Sequence, residues 1–74
     1  MIVSSTWVNI SAGECLVTKN GTNLLKLAYA SSSPTTEATV GVSTNLPQRF
    51  PLITGKSLWA QAAKEDVSIT VDIL

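Results

Sequence analysis

The stretch 66-DVSITVDIL-74 carries the clearest indication of the fold class of this chain. Its apolar and polar residues alternate without a break, with Val67, Ile69, Val71 and Ile73 on one side and Ser68, Thr70 and Asp72 on the other. Strict alternation with β-branched residues is typical of a strand that has one buried and one wet face. The stretch therefore predicts a half-buried β-strand at the end of the chain.

Two further strands are predicted on either side of Asn20-Gly21, over residues 14–19 and 24–29. In the second of them, Leu25, Leu27 and Tyr29 share one face. Asn-Gly is the strongest short-range hairpin signal because both positions tolerate positive φ. We therefore expect these two strands to form a hairpin. Residues 5–10 alternate as well and predict an earlier strand, which the turn at residues 11–13 ends.

The middle of the chain carries weaker strand signals. Residues 30–38 are small and polar and include a proline, so they predict a surface loop. Residues 39–44 predict a short strand. Residues 48–50 stand between Pro47 and Pro51, and because proline has no N–H for a sheet ladder, they predict at best an edge strand or an extended connection.

The stretch 53-ITGKSLWAQAAKED-66 resembles the end of a phosphate-binding loop followed by a helix. Such a loop needs a glycine where this chain has Phe50, and the next residue, Pro51, has no N–H to donate to a phosphate. We therefore expect Gly55-Lys56 to be a hairpin turn. A helix here would have no apolar stripe, whereas a strand would turn Leu58, Ala60 and Ala62 to the core, so the strand is favoured.

These segments predict a single β domain over residues 1–74. Its fold class is all-β, a small antiparallel β-sandwich or barrel of six to seven short strands. The expected core residues are Val17, Leu25, Leu27, Leu58, Trp59, Val67, Ile69 and Val71.

Composition narrows the possible functions. Five basic and five acidic residues are scattered along the chain and give a net charge of zero. A nucleic-acid-binding protein normally carries a basic stripe, so nucleic acid is not an expected partner. No stretch approaches the roughly 18 apolar residues of a membrane span, so no membrane partner is expected either. At 45% hydrophobic and 14% charged residues, so short a chain is expected to bury its surplus apolar surface against a partner.

Catalytic and metal sites are not expected. The chain has no histidine and a single cysteine, so it can form neither an internal disulfide nor the usual zinc sites. Cys15 lies in an alternating strand without a histidine to activate it, and is expected to be a small core residue. Glu65 and Asp66 are sequence neighbours, which point apart in a strand. We therefore expect a protein that is not an enzyme and has no cofactor.

Aromatic residues give the candidate contact sites. Trp7 and Trp59 either form a platform for a sugar or a protein, or fill the core, and Trp59 is the favoured core residue. Arg49 and Phe50 lie between the two prolines and form a candidate protein-contact strip. The candidate protein-contact residues are therefore Trp7, Arg49 and Phe50.

The order of these features resembles a group of short virion-associated proteins of tailed bacteriophages. The resemblance rests on Trp7-Val-Asn-Ile10 with Gly13 and Val17, on the Ser/Pro/Thr-rich residues 31–36, on the stretch 51-PLITGKSLWA-60, and on the alternating last strand. It implies an all-β protein that associates with itself, with a trimer favoured, and with the major capsid protein or other virion proteins. No catalytic or ligand residue is carried over.

The resemblance leads to three hypotheses. The first is a capsid decoration protein that oligomerises, docks on the capsid exterior and is located in the virion after synthesis in the host cytoplasm. The second is a receptor- or glycan-binding β-module of a tail fibre, based on the two tryptophans. The third is a small phage protein that acts on a bacterial target.

Overall fold

The computed structural model describes residues 1–34, 41–43 and 47–74, and of residues 41–43 only the backbone. The described residues form strands and no helix, which confirms the all-β class. The eight strands exceed the expected six to seven, because the two-residue strand at the start was not predicted. The strands are β1 (Ile2–Val3), β2 (Val8–Ser11), β3 (Cys15–Lys19), β4 (Leu25–Ala30), β5 (Gly41–Ser43), β6 (Gln48–Phe50), β7 (Ser57–Ala62) and β8 (Val67–Ile73).

The strands form two four-stranded antiparallel sheets that pack as a sandwich. Sheet I has the order β1-β8-β3-β6, and sheet II has the order β2-β7-β4-β5. The central strands β8 and β3 of sheet I and β7 and β4 of sheet II contribute nine of the ten buried apolar residues, and β1 contributes the tenth. The predicted edge position of residues 48–50 is confirmed, because β6 ends sheet I.

One core lies between the sheets and follows from the alternation of each strand. The burial of β7 alternates over its whole length, and Leu58, Ala60 and Ala62 all face inward, as predicted. The other core residues are Val3, Cys15, Val17, Leu25, Leu27, Val67 and Ile69. Val71, a predicted core residue, is half-buried and packs against this cluster.

Trp59 is a correction to the predicted core. It lies between Leu58 and Ala60 on β7, and because both neighbours point inward, its side chain points to the outer face of sheet II. The large side chains that fill the core are aliphatic instead, with Leu25 and Ile69 the largest of those that are fully buried. The place of Trp59 in the alternation of β7 therefore determines that its side chain lies outside the core, although its large size favoured a core position.

The predicted hairpin at Asn20-Gly21 is wrong. Gly21 has the expected positive φ of 135°, but β3 lies in sheet I and β4 in sheet II, so the connection crosses the sandwich. Packed sheets are about 10 Å apart, twice the spacing of paired strands, so a two-residue turn is too short. Long-range hydrogen bonds hold the crossing: the Asn20 N–H donates to the Ser68 carbonyl at 2.8 Å, and the Asn23 side chain donates to the Asp66 carbonyl at 3.0 Å.

Gly55-Lys56 forms a turn but not a hairpin. The Lys56 N–H donates to the Ile53 carbonyl at 3.0 Å, and Gly55 has a φ of 79°, which glycine adopts without strain. The turn joins β6 of sheet I to β7 of sheet II, so it too crosses the sandwich. Among the described strands, only β4 and β5 are both consecutive and paired. The predicted strand at residues 39–44 corresponds to β5; residues 39, 40 and 44, like residues 35–38 of the predicted loop, lie outside the described residues.

The different burial of two adjacent leucines predicts different effects of their substitution on stability. Leu25 is fully buried and Leu24 is 46% exposed. We expect Leu25→Ala to lower the free energy of unfolding by about 2–5 kcal/mol because it leaves a cavity. The matched control Leu24→Ala should change it by less than about 0.5 kcal/mol. Urea denaturation of both variants measures the difference, and equal losses would contradict the assigned register of β4.

Candidate interaction surfaces

Four of the seven exposed large apolar side chains of the described residues lie at the end of β8 or directly after β6. Phe50 on β6 and Ile73 on β8 both lie opposite Cys15 on β3, so the three occupy one row across sheet I, and the half-buried Phe50 packs against the core. Leu52 and Ile53 follow Phe50 in the chain, and the Leu74 N–H donates to the carbonyl of Glu14, the residue before Cys15. We call Phe50, Leu52, Ile53, Ile73 and Leu74 the apolar end.

The exposure of the apolar end contrasts with the burial of the strands that lead to it. Ile73 is 67% exposed, Leu74 59%, Leu52 57% and Ile53 38%. Ile73 continues the inward face of Val67 and Ile69 and lies level with the core, in one row with the fully buried Cys15. Among the described strands, β1 pairs with β8 only as far as Ile69, so Ile73 has a strand neighbour on the β3 side alone. The alternation that predicted a buried face thus continues to a residue with one uncovered side.

Arg49 lies beside the apolar end on β6, one residue before Phe50. Its Nε and Nη2 atoms both donate to Oε2 of Glu14, at 2.9 and 2.6 Å. The two side chains remain 65% and 38% exposed, so solvent screens the pair and its contribution to stability is small. Its main consequence is local charge balance: the rim of the apolar end is polar but has no net charge at this point.

A hydrogen bond from Tyr29 of sheet II holds the segment that follows β6 of sheet I. Its hydroxyl on β4 donates to the Pro51 carbonyl at 2.7 Å. Burial, and to a smaller extent the charge of the neighbouring Cys15, raises the pKa of Tyr29 above its ordinary value of 10.0. The segment that carries Leu52 and Ile53 is thus anchored by a group that must keep its proton to donate.

The pKa of Tyr29 predicts a loss of stability in alkaline solution. Because the folded pKa is raised, the unfolded chain loses its phenol proton first, and stability falls as the pH rises above about 10. Tyr29→Phe should reduce this fall, since the two proteins differ only in this phenol group and all other contributions cancel in the comparison. Urea midpoints measured between about pH 8 and pH 11 test this. Parallel curves for the two proteins would contradict the prediction.

The three candidate contact residues do not form one surface. Phe50 belongs to the apolar end and Arg49, its neighbour on β6, lies beside it, whereas Trp7 lies in the connection from β1 to β2 and precedes the edge strand of sheet II. Trp7 is half-buried, and its buried Nε1 has no hydrogen-bond partner among the described residues. The sequence did not indicate Leu52, Ile53 or Leu74, because exposed and buried leucines carry the same apolar signal.

The outer face of sheet II carries the second tryptophan in a defined setting. The indole Nε1 of Trp59 donates to the Ala30 carbonyl of β4 at 3.1 Å, so the ring extends from β7 across the neighbouring strand. In register, Trp59 lies between Ala28 of β4 and the exposed Asn9 of β2. Alanine is small, so the ring is half-buried and retains an exposed part on this face.

The polar residues considered for chemistry are spread apart. Cys15 is fully buried in the core, as expected from its alternating strand. Glu65 and Asp66 are exposed in the connection from β7 to β8. No group of three or more His, Cys, Asp or Glu side chains that could hold a metal ion occurs in residues 1–34, 41–43 and 47–74.

Within the same ranges no helix is long and apolar enough to span a membrane. Comparison with known proteins finds no matching family model, no matching curated protein and no matching solved structure.

Proposed function

We propose that this chain is a structural protein of a bacteriophage virion, a capsid decoration protein that associates with itself and docks on the capsid exterior. The observation that carries the proposal is the apolar end, four of whose members are 38–67% exposed, whereas the other exposed large apolar residues of the described chain, Met1, Ile2 and Leu24, lie elsewhere. A group of exposed large apolar residues with a polar rim is typical of a protein–protein contact.

The character of the rim supports association rather than catalysis. Arg49 and Glu14 neutralise each other beside the apolar end, so a partner meets little unpaired charge when the surface is covered. The short core contains two alanines and a cysteine among its ten buried apolar residues, which leaves a modest reserve of stability. Burial of the apolar end in an oligomer adds stability by mass action. A homotrimer is the favoured assembly because the resembling virion proteins are oligomeric.

The experiment compares two exposed leucines at different positions. We expect the wild-type chain to be an oligomer by light scattering and to co-sediment with purified particles of the phage that encodes it. Leu52→Asp should weaken self-association at least about tenfold, because an interface that covers residue 52 would bury an unpaired charge. Leu24→Asp, away from the apolar end, is the matched control and should leave association unchanged.

Two results would overturn the proposal. One is a chain that stays monomeric at all concentrations and never co-sediments with particles. The other is equal disruption by Leu24→Asp and Leu52→Asp, which would remove the apolar end as the contact surface.

A second function, a glycan-binding module of a tail fibre, is favoured by the setting of Trp59. Sugars bind proteins by stacking their apolar C–H face on an aromatic ring, with polar side chains at the rim. Trp59 offers such a ring on the outer face of sheet II, and the exposed Asn9 lies opposite it. The indole N–H is already bonded to Ala30, which fixes the ring in place.

Glycan binding can be tested with Trp59 as the only reporter. Trp7→Phe leaves one tryptophan in the chain, so a change in its fluorescence reports binding at Trp59. We expect a glycan found on an array to shift this emission, and Trp59→Ala to abolish capture on the same array. Unchanged emission with every arrayed glycan would contradict the second function.

A further inference from the structure

The edge of sheet I is only partly closed. β1 covers β8 through the pairs Ile2–Ser68 and Val3–Val67, and Met1 adds one further pair with Ile69. In the part of the chain that the structure describes, no strand pairs with β8 on this side beyond Ile69. The remaining residues of β8, 70–73, therefore form an open edge.

The hydrogen bonds of β8 show which backbone groups this edge presents. The Ile69 N–H donates to the Met1 carbonyl at 2.9 Å, and the Met1 amino group donates to the Ile69 carbonyl at 2.7 Å. On the opposite side, the Ser68 carbonyl and the Leu74 N–H bond to the β3 side of the sheet. Successive residues of a strand alternate in direction. The N–H and C=O groups of Val71 and Ile73 therefore point to the open edge.

We infer that residues 70–73 of β8 are a docking site for an extended segment of a partner protein, which adds to sheet I as a strand antiparallel to β8. Strand addition to an exposed sheet edge is a common mode of peptide recognition, because the main-chain groups supply the hydrogen bonds. The docked strand lies in line with β1, beyond Met1. The inference rests on the edge itself and holds whether or not the chain belongs to a virion.

The negative charge of Asp72 determines which kind of strand can pair with the open edge of β8. Two β8 strands can pair antiparallel so that Val71 of each copy lies opposite Ile73 of the other. Only one register does this, and it places Asp72 of one copy directly opposite Asp72 of the second copy. Such positions are about 4.5 Å apart between Cα atoms, and like charges there are destabilising. A charge on an exposed edge is a common defence against self-pairing. A second copy of β8 is therefore disfavoured as the occupant.

The same register defines the chemistry of the segment that fits. Val71 and Ile73 point to the inner side of sheet I, where Ile73 is 67% exposed and offers apolar surface to a neighbouring side chain. Asp72 is exposed on the outer side. The docked segment should therefore carry apolar, β-branched residues opposite Val71 and Ile73, and a lysine or arginine opposite Asp72.

A tethered strand tests the site with the complete chain. In one variant the residues Val-Lys-Val-Thr directly precede Met1, so that the lysine lies opposite Asp72 and the two valines opposite Ile73 and Val71. We expect the Val71 and Ile73 amides, exposed to exchange in the unextended chain, to exchange with solvent about tenfold more slowly in this variant. The control extension Val-Lys-Pro-Thr lacks the N–H opposite Val71 and should not protect them.

The expected need for a positive charge opposite Asp72 can be tested separately. With the extension Val-Glu-Val-Thr protection should fall, and Asp72→Lys should restore it. Asp72→Thr in the unextended chain should create additional, concentration-dependent association by sedimentation, whereas the matched variant Asp72→Lys should not, because it retains a like charge at the centre of the pair.

Three results would overturn the inference. The first is protection of the Val71 and Ile73 amides equal to that of Val67 and Ile69 in dilute unextended protein. The second is protection that grows with the concentration of the Leu52→Asp variant, in which association through the apolar end is weakened, because this would make a second copy of β8 the occupant. The third is equal exchange in the lysine and proline extensions.

Discussion

The packing of β3 and β8 against β4 and β7 is the contact on which the rest of this structure depends. Nine of the ten buried apolar side chains belong to these four strands, and the alternation of each strand directs them into one layer. Because consecutive strands are mostly in opposite sheets, the pairs that build each sheet join distant parts of the chain. Neither sheet can be completed locally, so the two sheets and the core are expected to form together.

The same arrangement explains where apolar surface remains exposed. The core extends along β3 to Cys15, the partner of Ile73, whereas β1 pairs with β8 only as far as Ile69. Leu52 and Ile53 follow β6 in the chain, and Leu74 follows Ile73. The apolar end therefore includes the part of β8 that β1 leaves uncovered, and its exposed side chains are the basis of the proposed partner contact.

Polar groups define how the exposed surfaces can be used. The ion pair of Arg49 and Glu14 borders the apolar end without adding net charge, and the Tyr29 hydroxyl holds Pro51 and the residues that follow it. At the open edge of β8, Asp72 acts in the opposite way, since two like carboxylates facing each other oppose pairing of identical strands. In the two proposals, the apolar end thus favours association through apolar contact, and the open edge favours a strand of complementary charge.

The all-β class, the position of most strands and the inward residues of β4, β7 and β8 could be predicted from the amino-acid sequence, because the period-two alternation is a local property of each strand. Both glycine turns could be located in the same way, since positive φ is a local requirement as well.

The pairing of the strands and the exposure of particular apolar residues became known only from the folded structure. A turn signal at Asn20-Gly21 fixes the backbone dihedral but not whether the next strand returns to the same sheet or crosses to the other. Likewise, Ile73 and Ile69 have identical places in the alternation, but among the described strands Ile69 has neighbours on both sides whereas Ile73 has only β3, and their burial differs. Pairing and cover are properties of residues far apart in the chain, and a local pattern contains no information about them.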